Sequence, residues 1–109
     1  MELDEFQKHA LKSVAISGKG KDALVHRTFG LSGEVGELTN RVKKIFRDSS
    51  GKYTDTDKEF LLKKLGDSLY YVAVLAELFD LSLDDVAQFN VEQSRKFMES
   101  KKEDREKAR

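Results

Sequence analysis

Apolar side chains recur at three- and four-residue spacing through four successive stretches of this chain, and no proline interrupts any of them. Such spacing places one apolar stripe along each of four α-helices, and without proline none of the helices has to break. No stretch alternates apolar with polar residues as a half-buried strand does, and no repeat or linker divides the sequence. The predicted fold class is therefore all-α, a four-helix, bundle-like arrangement. With 109 residues, 39% of them hydrophobic, the chain suits one domain. A domain of this size buries a modest core alone, so completion of the bundle by oligomerisation is expected.

The first helix is predicted over residues 2–16, where Leu3, Phe6, Ala10, Leu11 and Val14 share a face. Ser17-Gly18-Lys19-Gly20-Lys21 reads as a basic loop; it lacks the longer glycine spacing and the Ser or Thr of a P-loop. The second helix is predicted over 23–47, with Val35, Leu38, Val42 and Ile45 as its stripe. Gly30, Gly33 and Gly36 fall inside it. Each glycine weakens a helix by about 1 kcal/mol relative to alanine, so three together mark close helix packing or close approach of a ligand. Asp48-Ser49-Ser50-Gly51 is a turn. The third helix is predicted over 57–79, announced by the capping pattern Thr56-Asp57-Lys58-Glu59, with Phe60, Leu61, Leu65, Leu69, Val72, Leu75 and Ala76 inward. Ser82-Leu83-Asp84-Asp85 opens the fourth, predicted over 83–99 with Val86, Phe89 and Phe97 apolar. A helical domain over 1–99 is thus followed by a charged tail, 100–109, with no apolar stripe, expected as a frayed helical end or a disordered segment.

Composition removes several classes of function. Twenty basic and twenty acidic residues balance, against a general binder of nucleic acid polymers, which needs excess Lys and Arg. Absence of cysteine rules out disulfides, thiolate catalysis and zinc–sulfur centres, and two histidines are too few for a multi-imidazole site. The start Met1-Glu2-Leu3-Asp4-Glu5 is acidic and lacks a hydrophobic export segment. The most apolar run, Leu69 to Phe79, contains Glu77 and is far shorter than the roughly 20 residues of a membrane span. A cytoplasmic protein with no membrane partner is the expectation.

Oxygen ligands are plentiful. Glu34 and Glu37, in Glu-Val-Gly-Glu, share one helical face about a turn apart. Asp67, in Lys-Leu-Gly-Asp, lies on the next long helix, which an antiparallel pairing brings opposite. Three converging carboxylates suit Mg²⁺ or Mn²⁺ rather than zinc, and Mg²⁺ commonly completes its shell with substrate phosphates. Against this, Glu-x-x-Glu alone is a weak motif: Glu37 can simply pair with Arg41 four residues on, for about 0.3–0.5 kcal/mol.

The run His26-Arg27-Thr28-Phe29-Gly30-Leu31-Ser32-Gly33-Glu34-Val35-Gly36-Glu37, continued by Arg41-Val-Lys-Lys-Ile-Phe-Arg-Asp48, resembles the second helix of the MazG-like nucleoside-triphosphate pyrophosphohydrolases. Leu61-Leu-Lys-Lys-Leu-Gly-Asp-Ser-Leu-Tyr-Tyr71 resembles their third helix, and Leu81-Ser-Leu-Asp-Asp-Val-Ala87 with Asn90 the entry to their last. The similarity covers residues 26–92 in order. It implies an all-helical homodimer or homotetramer, with a lean to the tetramer. It implies an enzyme that cleaves nucleoside triphosphates between the α- and β-phosphates, releasing a monophosphate and pyrophosphate, as in removal of aberrant nucleotides. The implied cofactor is Mg²⁺, with Mn²⁺ possible in its place, held by a Glu-x-x-Glu and a later Glu-x-x-Asp. By position these are Glu34, Glu37 and Asp67, with Lys64 where the remaining glutamate belongs.

Lys64 is the departure that matters. A protonated lysine cannot coordinate a metal, and exchanging an anion for a cation lowers metal affinity by orders of magnitude. Three readings follow. Lys64 contacts the triphosphate itself, as an ammonium replacing one metal charge, while Glu37 takes a proton from the attacking water. Alternatively the protein binds nucleotides but hydrolyses them weakly or not at all, or serves as an interaction protein. Or Lys64 turns outward and another acid, such as Glu59, substitutes.

Lys43, Lys44 and Arg47 are candidate phosphate contacts, although cations at a helix C-terminus also complement its dipole. Tyr71 stands one turn after Asp67, where the resemblance implies a substrate-contacting tyrosine in dCTP-cleaving members; a core aromatic fits equally. Asn90 matches a position near the substrate. Gln93 and Phe97 stand where the resemblance implies Lys and Arg, which weakens any phosphate clamp from the last helix. His9 reads as a surface histidine.

Overall fold

A computed structural model describes residues 1–14 and 21–108. It consists of α1 (Leu3–Val14), α2 (Lys21–Ser49), α3 (Asp55–Glu77) and α4 (Leu83–Lys107), with no strand among the described residues. The predicted residues 15 and 16 of the first helix and most of the basic loop lie outside the described part.

Local chemistry explains the boundaries. After α2 the chain reverses through Ser50 and Gly51, whose φ angles of 54° and 89° lie in the left-handed region, a conformation glycine adopts without steric cost. The cap of α3 is Thr54, two residues before the predicted box. Thr54 Oγ1 accepts from Asp57 N at 3.1 Å, and Asp57 Oδ2 accepts from Thr54 N at 2.9 Å. The predicted Thr56 therefore sits inside the helix, because Asp57 is the acid that can reach back to Thr54. Ser82 caps α4 as predicted, its hydroxyl accepting from Asp85 N at 3.0 Å. The fourth helix runs on to Lys107 rather than ending at 99. Its last turns are rich in Lys, Glu and Arg, which favour the helix intrinsically without an apolar stripe.

α3 is the axis of the molecule. It packs along α2 and also meets α1 and α4, whereas α2 makes no contact with α1 or α4 among the described residues. Contacts descend α2 as they ascend α3: Arg41 with Asp57, Glu34 with Lys64, Arg27 with Glu77. The two helices are therefore an antiparallel hairpin.

The core forms where α1, α3 and α4 meet, from Ala10, Val14, Ala73, Val74 and Leu83, with Phe6, Leu11, Tyr70, Tyr71 and Val72 against it. Val72 and Ala76 meet the expectation, as does Ile45 of α2, but Leu65 and Leu69 are 58% and 40% exposed, and Val35 and Val42 are exposed too. Within one chain no helix covers their stripe. Phe89 and Phe97 are likewise exposed, as is every residue from Gln88 to Ala108. The radius of gyration is 18.1 Å, where a compact domain of about 100 residues has about 13 Å.

Candidate functional site

Glu34 and Glu37 project from one face of α2 toward α3, as their spacing requires, and they meet Lys64. Lys64 Nζ donates to Glu34 Oε2 at 2.9 Å and is ion-paired with Glu37 Oε2. The lysine is buried, at 8% exposure, and the Phe60 ring lies 5.6 Å from its ammonium. The carboxylates of Glu37 and then Glu34 hold its pKa above the usual lysine range. This geometry overturns the outward-turned reading of Lys64, and Glu59 is itself exposed to solvent. It also replaces the simple Glu37–Arg41 pair: Arg41 Nε donates instead to Asp57 Oδ1 at 2.9 Å, with its guanidinium 4.7 Å from the Phe60 ring.

Asp67 lies one turn beyond Lys64, and its Oδ2 accepts from Lys63 Nζ at 2.8 Å. Tyr71 follows a further turn on. A proximate Asp67 and Glu34 are felt at its phenol, whose pKa rises chiefly from burial, then from Tyr70, Glu34 and Asp67. The Tyr71 ring stands edge-on to His26 and Tyr70, with centroids 6.4 and 5.1 Å away. It fits against α2 because residue 30 is glycine: a Cβ there would lie 2.8 Å from Tyr71 Cδ1 and closer still to Cε1 and Cζ. Of the three clustered glycines, Gly30 alone is explained by close packing, since a Cβ at Gly33 or Gly36 meets nothing within 4 Å. Gly30→Ala is therefore expected to push Tyr71 out of place and cost about 1–3 kcal/mol, measured by denaturant unfolding, with Gly33→Ala as a neutral or stabilising control.

Other expected site residues are spread out. Lys44 lines a shallow groove with Arg41, Ile45, Asp48, Ser49 and Asp57 toward the hairpin end. Arg47 is exposed and donates to the neighbouring Asp48 at 2.9 Å. Asn90 is exposed on α4, a helix that does not touch α2. His9 is exposed, as expected of a surface histidine. Sequence reasoning missed Gln7 and Arg27, both buried and both bonded to α3. Polar side chains carry no sequence signal that separates a buried hydrogen-bonded role from a solvated one.

Comparison with known proteins finds a relative in a phage. The Gene 37 protein of Mycobacterium phage L5 is 40% identical over 102 residues, spanning 88% of this chain and 90% of that protein. The chain belongs to the family of that phage protein. No protein-family model matches the chain, and no solved structure matches it. The likeness to the phage protein extends over nearly the whole length of both proteins.

A divalent ion of the kind the sequence resemblance implies would be held by Glu34, Glu37 and Asp67. In this arrangement they do not fit it. Both glutamates are committed to an ammonium, Asp67 is committed to Lys63, and no three acidic or histidine side chains converge as a metal site among the described residues. No helix among the described residues is long and apolar enough to cross a membrane.

Proposed function

We propose that this chain is a nucleoside-triphosphate-binding protein of the MazG-like, all-α pyrophosphohydrolase type in which Lys64 weakens hydrolysis. The observation that carries this reading is the buried ammonium standing between Glu34 and Glu37 at the position where the motif calls for an acid. Support for the nucleotide comes from the ordered resemblance over residues 26–92 and from the antiparallel α2–α3 hairpin, which lines up Glu34, Lys64, Asp67 and Tyr71 along one seam. Lys64 offsets part of the charge of Glu34 and Glu37, which lessens their repulsion of a phosphate, and Tyr71 offers a face for the nucleoside. Beside Tyr71, a groove of about 520 Å³ is lined by Asp22, Val25, His26, Phe29 and Gly30, within the size range of small-ligand sites.

The same reading includes a second copy of the chain. Exposed Leu62, Leu65, Leu69, Phe89 and Phe97 are large for a monomer surface, and the MazG-like resemblance implies a homodimer or homotetramer that covers such faces. Lys44, Arg47 and Asn90, which one chain leaves apart from the carboxylates, join the substrate site only from another protomer.

A second reading, a fully active Mg²⁺-dependent pyrophosphohydrolase, is favoured by the retention of Glu34, Glu37 and Asp67 in their motif positions. One experiment separates the two. Calorimetry with a non-hydrolysable triphosphate analogue measures binding, and pyrophosphate release is followed over canonical and damaged nucleotides with Mg²⁺. The weakened-site reading expects binding by the native chain, scant release, and a gain of about tenfold or more in Lys64→Glu. Native release that Glu37→Gln abolishes establishes the active enzyme instead, and absence of binding overturns both.

A further inference from the structure

We propose that Lys64 is a built-in counter-ion that makes the Glu34–Glu37 pair independent of divalent metal. Two carboxylates a helical turn apart face the same neighbour, and unpaired they repel each other. A divalent ion is one remedy. Here the chain carries its own: the Lys64 ammonium is 2.9 Å from Glu34 Oε2 and ion-paired with Glu37 Oε2, on a side chain that is 10% exposed.

The placement is built rather than incidental. Lys64 is buried while the adjacent Lys63 is 68% exposed in its side chain, so the same residue type one position away samples solvent. The Phe60 ring, one turn before Lys64, packs near the ammonium, and an aromatic face attracts a cation. Asp67 turns to Lys63, whose Nζ lies 2.8 Å from its Oδ2, and not to Lys64. With Glu34 and Glu37 counted as −1 each and Lys64 as +1, the cluster carries a net single negative charge. Glutamate at position 64 would make it −3 on the same backbone. A metal ion approaching the native cluster has to displace a cation already bound to both carboxylates. The inference concerns the charge of the site and stands whether or not the groove takes a nucleotide.

The test uses the untagged full chain without nucleotide. Thermal unfolding is recorded in EDTA and in millimolar Mn²⁺ for the native chain and Lys64→Glu, and uptake of Mn²⁺ is followed by the electron paramagnetic resonance signal of the free ion. The native midpoint is expected to agree between the two conditions within about 2 °C, well below the roughly 4–8 °C that a modest stabilisation gives in a domain of this size. Lys64→Glu is expected to melt at least roughly 5 °C lower in EDTA and to recover in Mn²⁺, because a ligand that binds only the folded state stabilises it. A native chain that removes Mn²⁺ from solution stoichiometrically, and loses that uptake in Glu34→Gln, overturns the proposal. This arm needs only the native fold, so it decides the matter even where Lys64→Glu does not fold.

Discussion

Gln7→Leu is expected to lower the thermal midpoint by about 8 °C or more, since each kcal/mol shifts a domain of this size by roughly 4–8 °C. Gln7 is 7% exposed and uses its whole amide. Its Nε2 donates to Ala73 O at 3.0 Å and to Leu81 O at 3.1 Å, while Oε1 accepts from Leu83 N at 3.0 Å. One side chain thereby joins α1 to the body of α3, to the loop after it and to the first turn of α4, where backbone N–H groups have no partner within the helix. Leucine fills much of the same volume, so the loss is chiefly of hydrogen bonds. Ala73 O keeps its bond within α3, so the loss falls on Leu83 N and the partly buried Leu81 O; at about 1–3 kcal/mol for a buried group left unpaired, the total is near 2–4 kcal/mol. Gln7→Glu discriminates this cause from packing. It keeps shape and one acceptor but sets a carboxylate against two carbonyls. Its deficit should shrink as the pH falls and the acid becomes a donor. Circular dichroism melts across pH check both variants, and a Gln7→Leu midpoint within a few degrees of native would contradict the account.

Arg27→Met is expected to cost about 2–4 kcal/mol. Arg27 is 6% exposed, and its Nη1 donates both to Val74 O at 2.6 Å and to Glu77 Oε2 at 2.9 Å. Breaking a fully buried pair costs about 3–5 kcal/mol; the lower figure applies because Glu77 is 46% exposed in its side chain and rehydrates. Methionine replaces the aliphatic stem but leaves the Val74 carbonyl without its donor, deep in the core. Glu77→Gln is the informative partner. It leaves that carbonyl satisfied and keeps an acceptor for the guanidinium, but takes the anion from a buried cation, so its cost should be about 1–2 kcal/mol, below that of Arg27→Met. Equal losses in the two variants, measured by urea unfolding, would assign the effect to the ion pair and not to the carbonyl.

Helix number and type were legible because apolar periodicity survives even where a face is uncovered. So was the common face of Glu34 and Glu37, a matter of helical geometry. Burial was legible only in part: Ala10, Val14, Ile45 and Ala76 are buried as their stripes require, but other stripe residues are not. The stripe through Leu61, Leu65 and Leu69 is as apolar as a core stripe, yet Leu65 and Leu69 meet solvent because no helix of the same chain lies over them. The actual core uses Ala73 and Val74, both at 0% exposure, where α1 and α4 cross α3. Which face is covered depends on crossing geometry, and the periodicity of one helix does not encode it. The same blindness hid Gln7 and Arg27. Nor did the sequence foretell that Arg47 pairs with its neighbour Asp48, a contact open to almost any surface pair.

The hairpin has a consequence for alignment. α2 has α3 as its sole helical neighbour among the described residues, and charged side chains fasten it at three levels: Arg41 to Asp57 near the turn, Glu34 and Glu37 to Lys64 midway, and Arg27 to Glu77 and the Val74 carbonyl at the far end. Apolar stripes tolerate sliding, since one leucine resembles the next. Clasps of opposite sign do not. A slip of one turn, about 5.4 Å, would part Arg41 from Asp57 and Arg27 from Glu77 and leave Lys64 beside only one of its two glutamates. The cations of this seam thus act as a vernier, admitting one registration of the two long helices and rejecting its neighbours.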